Sequence, residues 1–376
     1  MSRIKNDFSD SEYVSAREES GGKIEKPKYY FKISRLKHAF SALKHISARK
    51  HGDGRVKPRL IVFEVTDKCN SRCKHCNIWN TKNKDRCLTT EEIVKTFSDP
   101  LFSEVEFFNI TGGEPVLRQD IKEILQEIHN RIPKATFAFS TNALLPDKVL
   151  DICRFSIEND INLLVGISMD GIGKHHDDMR GVPGNFEKAD YLLKKLKKLK
   201  KETGKIDYTI GFTLSELTKN FADEMIAHAK KYDIDLIAQM YEEGSFYTNL
   251  NNVDQKIEDL ILSIKKFPDS IYHRFVIKSL KYKYKFKCYA MNTFFLLRYN
   301  GDVTPCLKLS NLSAGNVKND APSKIWKSEN AKQIRNKIKC CEGCLNTWGV
   351  SWSINSSVYP LIPLILKNPK FLLKRK

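Results

Sequence analysis

Three cysteines stand close together in Cys69-Asn-Ser-Arg-Cys73-Lys-His-Cys76. Thiolates separated by three and then two residues suit three corners of a cubane iron-sulfur cluster. The fourth iron would then lack a protein ligand, and an open iron is where a small molecule can bind and react. A closed zinc site with four Cys/His ligands is the structural competitor. His75 could be argued as the fourth ligand, but it immediately precedes Cys76 and would struggle to reach the same metal. A second set lies far downstream: Cys288, Cys306, and the Cys-x2-Cys pair Cys341 and Cys344. Four thiolates from a hairpin and a helix-end loop could fully ligate one centre, a cluster or a structural zinc. Cys340 could replace Cys341, although the pair spacing favours Cys341. Cys87 and Cys153 fit neither set; Cys153 reads as helix packing and Cys87 as incidental.

The elements that carry these residues follow from periodicity. Apolar, β-branched runs predict strands at 60–65, 105–110, 135–140, 163–169, 207–213 and 235–240. Helical patterns fall between them near 89–97, 120–131, 146–157, 186–203 and 219–232. Thr89, with Glu92 three residues on, reads as a capping box. Six βα units in order imply a parallel sheet with right-handed crossovers, with its chemistry on the loops after the strands. The cysteine triplet is one such loop. The others are Thr111-Gly112-Gly113-Glu114-Pro115, Ser140-Thr141-Asn142, Gly166-Ile-Ser168-Met-Asp170-Gly171 and, on the same loop as the last, His176-Asp-Asp-Met-Arg180-Gly181. Paired glycines admit close approach of a ligand to the backbone. An arginine such as Arg180 can clamp a carboxylate, or can simply lie on the surface.

The chain has 376 residues, 41% of them apolar, and ten cysteines. The N-terminus shows no apolar signal-peptide core, so clustered cysteines point to metal rather than disulfides, and the expected location is cytoplasmic. No apolar stretch is long enough to predict a spanning helix. The formal charge of +19 is uneven: residues 26–57 carry ten Lys or Arg against the one acid Asp53. Such a surface suits nucleic acid, anionic lipid or acidic substrate. The lysine run 194–205, spaced by Leu192, Leu193, Leu196 and Leu199, reads as an amphipathic helix with a solvated face, which makes nucleic acid an unlikely partner. Residues 28–50 predict a basic amphipathic helix with Tyr29, Ile33, Leu36, Phe40, Leu43 and Ile46 on one stripe. It either packs on the main domain or meets a membrane or partner.

Residues 250–280 predict bridging helices. The run Lys281–Cys288 alternates strictly, as a strand that would point Cys288 inward. Residues 294–299 and 302–306 predict a hairpin joined by a two-residue Asn300-Gly301 turn, followed by a helix at 321–338. The tail from Pro360 is apolar and basic, and docks on the protein or touches a membrane peripherally.

Taken together, the motifs resemble the radical S-adenosylmethionine (radical SAM) superfamily. The resemblance covers about residues 58–245: Cys-x3-Cys-x2-Cys, Gly-Gly-Glu-Pro, Ser-Thr-Asn, then Ser-Met-Asp-Gly with a downstream Asp-x-x-Arg-Gly. It implies a partial (β/α)6 TIM-like barrel and a [4Fe-4S] cluster on Cys69, Cys73 and Cys76. It also implies SAM chelating the fourth iron through its amino and carboxylate groups. Gly112, Gly113 and Glu114 would face the SAM amino group, Ser140 and Asn142 the ribose, Ser168 and Arg180 the carboxylate. Ile78 and Gln239 are candidates near adenine. His75 stands where the superfamily usually has an aromatic residue. The second cysteine set, with Gly315-Asn-Val-Lys and Ile325-Trp326, resembles the short "twitch" form of the SPASM domain, a small α+β unit with one auxiliary [4Fe-4S] cluster. The implied organisation is an N-terminal segment and helix (1–57), radical SAM core (58–245), bridging helices (246–287), auxiliary domain (288–350) and tail (351–376).

The implied activity is cleavage of SAM, by a cluster reduced by a flavodoxin- or ferredoxin-like donor, to a 5′-deoxyadenosyl radical that takes hydrogen from a substrate. The resemblance implies a peptide, a sugar or cyclitol, or a nucleotide as substrate, and the basic helix and tail add a lipid-linked glycan precursor. Asp170, Glu242 and Glu243 are candidates for the general acid or base. The rival classes are a zinc-stabilised nucleic-acid-binding protein and a non-catalytic iron-sulfur electron carrier.

Overall fold

The computed structural model describes residues 35–80, 85–244, 256–268, 270–341 and 343–357, with side chains from Ser41 onward. The calls on residues 1–34 and on the tail from 358 lie outside the described residues.

Six strands alternate with helices along the chain: β1 (Leu60–Thr66), β2 (Phe107–Gly112), β3 (Thr136–Thr141), β4 (Leu163–Ser168), β5 (Asp207–Leu214) and β6 (Leu236–Met240). Each pairs in parallel with its predecessor. The outer faces of the strands bury large apolar side chains, among them Phe63, Phe108, Phe137, Phe139 and Phe212, each at most 1% exposed. Opposite them pack the apolar stripes of the helices, as with Leu192, Leu193 and Leu196 of the helix Asn185–Thr203. The lysine run is therefore the solvated face of a core helix. The capping box forms as expected. Thr89 Oγ1 accepts from Glu92 N at 3.2 Å, and Thr89 N donates to Glu92 Oε2 at 2.9 Å.

The sheet does not end at β1. A further strand, β7 (Phe294–Leu297), pairs in parallel with β1, and β8 (Val303–Thr304) pairs antiparallel with β7. The strand order is β6-β5-β4-β3-β2-β1-β7-β8, an open, partial barrel continued by the C-terminal hairpin. An ion pair joins the two parts: Arg298 Nε donates to Glu64 Oε2 at 3.1 Å, and Glu64 is only 2% exposed. Burial raises the Glu64 carboxyl, and Arg298 opposes that rise.

Several local expectations are corrected. Lys281–Cys288 is not a strand. Lys281 and Tyr282 end the helix Ile271–Tyr282, Lys283 turns left-handed at φ +50°, and residues 284–289 pair with no strand among the described residues. The alternation still holds, with Phe286 and Cys288 buried and Lys285 and Lys287 exposed. The hairpin turn has three residues rather than two: Arg298 N donates to Asp302 O, Gly301 N to Arg298 O, and Gly301 has φ +97°. That is the turn-plus-bulge form, which needs glycine at its last position. The helix at 321–338 is broken in two, Pro322–Lys327 and Glu329–Lys339, because Ser328 turns extended and caps the second through Ala331 N. His176–Arg180 belongs to a short helix, Lys174–Arg180, rather than a loop. The helix Thr347–Asn355 has no counterpart in the sequence reading.

The first described helix, α1 (Arg35–His51), buries Ala42, His45 and Ala48, while Leu43 and Ile46 are 58% and 37% exposed. The expected stripe therefore does not face the protein at Leu43 and Ile46. Among the described residues no helix is long and apolar enough to cross a membrane.

Candidate functional site

Both cysteine sets open onto one cavity. It lies at the C-terminal ends of the parallel strands, and Cys69, Cys73, Cys76, Cys288, Cys306, Cys341 and Cys344 all line it. Cys340 does not; it is exposed. Cys153 is fully buried within its helix, and Cys87 sits beside Thr66 and Asp67 outside the cavity.

The first cysteine loop is held by the ends of the neighbouring strands. Gly113 N and Glu114 N donate to Thr66 O and Lys68 O, each at 2.8 Å. A Cβ on Gly112 would lie 2.2 Å from Thr66 O, and one on Gly113 would lie 2.0 Å from Lys68 O. These glycines are required because two backbones meet there, a reason different from ligand approach. Gly113→Ala is expected to cost about 1–3 kcal/mol. Loss of bound iron and a lower unfolding midpoint would accompany it, and an unaltered midpoint would contradict this packing. On the other side, Arg72 N and Lys74 N donate to Arg180 O and Met179 O at 2.9 Å. Gly181 lets that helix end lie against Arg72, where a Cβ would be 2.4 Å from Arg72 O.

Several residues expected to meet the cofactor also brace the cysteine loop. Glu114, 1% exposed, accepts from Asn142 N at 2.7 Å and Thr141 Oγ1 at 2.9 Å. Burial pushes its carboxyl up to about 7, against the pull of those donors. Asn142 Oδ1 accepts from Leu144 N, and its Nδ2 donates to Asn70 Oδ1 at 2.8 Å and lies 3.9 Å from Cys69 Sγ. Asn185, fully buried, donates to Asn142 O at 2.9 Å. Arg180 pairs with Asp170 at 2.8 Å and reaches to 3.8 Å from Cys73 Sγ. Asp170 also accepts from Thr213 N at 2.9 Å. Burial would raise the Asp170 carboxyl, but Arg180, His75 and the Thr213 N–H outweigh it and hold it below the usual range.

Gly112, Gly113, Glu114, Ser140, Asn142, Ser168, Arg180, Ile78 and Gln239 all line the cavity, so the structure gathers every residue singled out for SAM. Glu242 and Glu243 line it too, whereas Asp170 does not and is wholly buried. Glu242 is held by Lys308 Nζ at 2.9 Å and Leu345 N at 2.8 Å. Sequence reasoning missed Asn109, Ser71, Thr213, Lys308, Asn346 and Trp348, which also face this space. Asn109 carried a readable signal, a lone amide inside the apolar run Phe107-Phe108-Asn109-Ile110. It is 3% exposed, and its Oδ1 has no hydrogen-bond partner.

The thiols are poor metal ligands until a cation draws off their protons. Burial pushes Cys69 and Cys306 up to about 11, and Cys76 and Cys288 up to about 12. Backbone N–H groups aim at all four: Ser71 N at Cys69 Sγ and Ala290 N at Cys288 Sγ, both 3.4 Å, Ile78 N at Cys76, and the N–H groups of Lys308 and Leu309 at Cys306. Such donors favour the thiolate, and metal binding supplies the rest of the driving force.

Comparison with known proteins agrees with this geometry. The radical SAM superfamily model matches residues 63–225, and the model of the SPASM iron-sulfur cluster-binding domain matches residues 288–345. The chain belongs to the radical SAM superfamily. Its cofactors are accordingly SAM, a [4Fe-4S] cluster and an auxiliary iron-sulfur centre in the SPASM domain. The radical SAM chain is 25% identical over 329 residues to the AdoMet-dependent heme synthase of Methanosarcina barkeri, covering 76% of this chain and 91% of that protein. It is 28% identical over 141 residues to the subtilosin biosynthesis protein AlbA of Bacillus subtilis, covering 37% of this chain and 30% of that one. Among solved structures, Streptococcus suis SuiB bound to its precursor peptide SuiA superposes with a TM-score of 0.60 at 17% identity. That match covers 89% of this chain and 83% of SuiB, and it shows the shared fold.

Proposed function

We propose that Cys69, Cys73 and Cys76 hold the SAM-binding [4Fe-4S] cluster. Cys288, Cys306, Cys341 and Cys344 hold the auxiliary one, and the enzyme oxidises a peptide bound between them. The carrying observation is that all seven thiols line one cavity. Bound there and reduced by an external one-electron donor, cluster and SAM together supply a 5′-deoxyadenosyl radical that abstracts hydrogen.

The chain's own residues position and enclose. Asn142, Arg180 and Asp170 fix the cysteine loop. Ser140 and Ser168 offer hydroxyls, and Gly112 and Gly113 offer backbone groups, to SAM. The fold keeps the reacting centre at the bottom of a cavity, away from bulk water. Glu242 and Glu243 are the carboxylates placed to hold or take a substrate proton.

The choice of a peptide rests on charge. The two cations among the described lining residues, Arg180 and Lys308, are each paired with a carboxylate, Asp170 and Glu242. A phosphorylated or polycarboxylate substrate would therefore find no uncompensated cation among those residues. Asn109, Gln239, Asn346 and the threonines 111 and 213 instead offer neutral donors and acceptors, which match peptide groups. The extent of the match to a heme synthase supports a second reading, oxidation of a tetrapyrrole. Sugar, cyclitol and lipid-linked glycan substrates draw no specific support from these lining residues.

Anaerobic reconstitution should give about eight irons per chain. With reductant and SAM the protein should form 5′-deoxyadenosine, and from a peptide library it should yield products lighter by two hydrogens. Cys341→Ala with Cys344→Ala should keep some 5′-deoxyadenosine formation while losing product. Turnover of a tetracarboxylate tetrapyrrole with no peptide product would replace the peptide reading by the second one.

A further inference from the structure

A second hollow, of about 610 Å³, adjoins the cysteine cavity at Phe286, which lines both. Its lining comes from the C-terminal end of α1, the segment 284–289 and the end of the helix Thr347–Asn355, with Phe275 and Lys339. Five basic side chains line it, Arg49, Lys50, Lys285, Lys287 and Lys339, with no carboxylate among the described lining residues. Its aromatic lining is Phe275, Tyr284, Phe286 and Tyr289. Ile46 of α1 lies exposed at its edge. Arg49 Nε donates to Cys288 O at 2.8 Å, so one wall of the groove is bonded directly to the peptide of an auxiliary cysteine.

We propose that this basic, aromatic-lined groove is the docking face for an acidic one-electron carrier protein of the flavodoxin or ferredoxin type. Charge decides the kind of partner: five basic side chains on one groove steer a negatively charged protein and favour one orientation of it. The aromatic lining and Ile46 give that partner apolar contact area beside the charged groups, the usual anatomy of a specific interface. Position decides the role. A carrier seated here lies one side chain, Phe286, away from the cysteine cavity and touches the segment that carries Cys288. A nucleic acid or a lipid surface would use the same charge but would gain nothing from that adjacency. The role, though not the docking, rests on the assignment of Cys288, Cys306, Cys341 and Cys344 to an auxiliary cluster.

The test is calorimetric titration of the reconstituted holoenzyme with a purified flavodoxin. Binding should weaken as ionic strength rises. Lys50→Glu combined with Lys287→Glu should weaken it by roughly tenfold or more. Lys50→Gln with Lys287→Gln should give an intermediate loss, provided that iron content and unfolding midpoint match the parent protein. Equal affinity in parent and charge-reversed protein would overturn the proposal. So would tighter groove-dependent binding to phosphatidylglycerol vesicles that displaces the flavodoxin. Cys341→Ala with Cys344→Ala separates the two ideas. If iron per chain does not fall, the cluster assignment fails, whereas the groove stands or falls on the flavodoxin affinities.

Discussion

Replacing Cys69, Cys73 and Cys76 together by alanine is expected to abolish SAM cleavage. The iron content of the reconstituted protein should fall from about eight to about four per chain. The three thiols sit on one loop, tied on one flank to Gly113 and Glu114 and on the other to Met179 and Arg180. Those ties use backbone atoms, so the loop can keep its course without its sulfurs. The auxiliary thiols come from other segments, and their centre should still assemble. Measurement of iron, sulfide and 5′-deoxyadenosine on one preparation decides the matter. Continued deoxyadenosine formation in the triple variant would remove the loop from the chemistry altogether.

The second large effect is on stability. Asp170→Asn should destabilise the protein by about 3–5 kcal/mol, because Arg180 is left as a buried charge with its partner gone. Both side chains are more than nine-tenths buried and 2.8 Å apart. In a chain of this size that corresponds to a fall of roughly 5 °C in unfolding midpoint. The same cluster makes the protein acid-labile. His176 is buried at the start of the pair, accepting from Asp170 N at 3.1 Å. Burial, then Arg180, push its pKa from 6.5 to about 4. The unfolded chain therefore binds a proton that the folded one refuses, and stability falls as pH drops from 6.5 to 4. Asp170, held below its ordinary value, adds stability above about pH 4 that is lost on further acidification. Glu114, raised to about 7, contributes in the opposite sense over the same range, so the His176 contribution is read as a difference between two proteins. The margin by which the parent's denaturant midpoint exceeds that of His176→Asn, which keeps an acceptor for Asp170 N, should shrink from pH 7.5 to 5.5 to 4.5. A margin independent of pH across that range would count against the buried neutral histidine.

The parallel core was legible because its signals are local and repeated. Strands such as Leu60–Thr66 are apolar along their whole length, and the helices between them carry an apolar stripe and, at Thr89, a cap. The cysteine sets were legible because their spacing is covalent. What misled was pattern without a partner. Lys281–Cys288 alternates like a strand and buries like one from Tyr284 to Cys288, while Tyr282 is exposed and no neighbouring segment among the described residues offers a ladder. On α1, Leu43 and Ile46 lie on the expected stripe, but the contact is made through Ala42, His45 and Ala48. Small residues there let the helix approach closely enough for Arg49 to reach Cys288 O.

By itself, then, the sequence determined that thiols would cluster on a loop after the first strand of a parallel sheet. It also determined that a second, four-thiol set would follow, because ligand type and spacing are written in the chain. Only the tertiary structure decided that both sets share one cavity. It also decided that Cys341 rather than Cys340 faces that cavity, and that β7 continues the barrel sheet through β1. It further decided that the Gly-Gly-Glu, Asn142 and Arg180 motifs spend much of their hydrogen bonding on the cysteine loop. Each of these depends on which distant segments meet, and such meetings are fixed by packing over hundreds of residues.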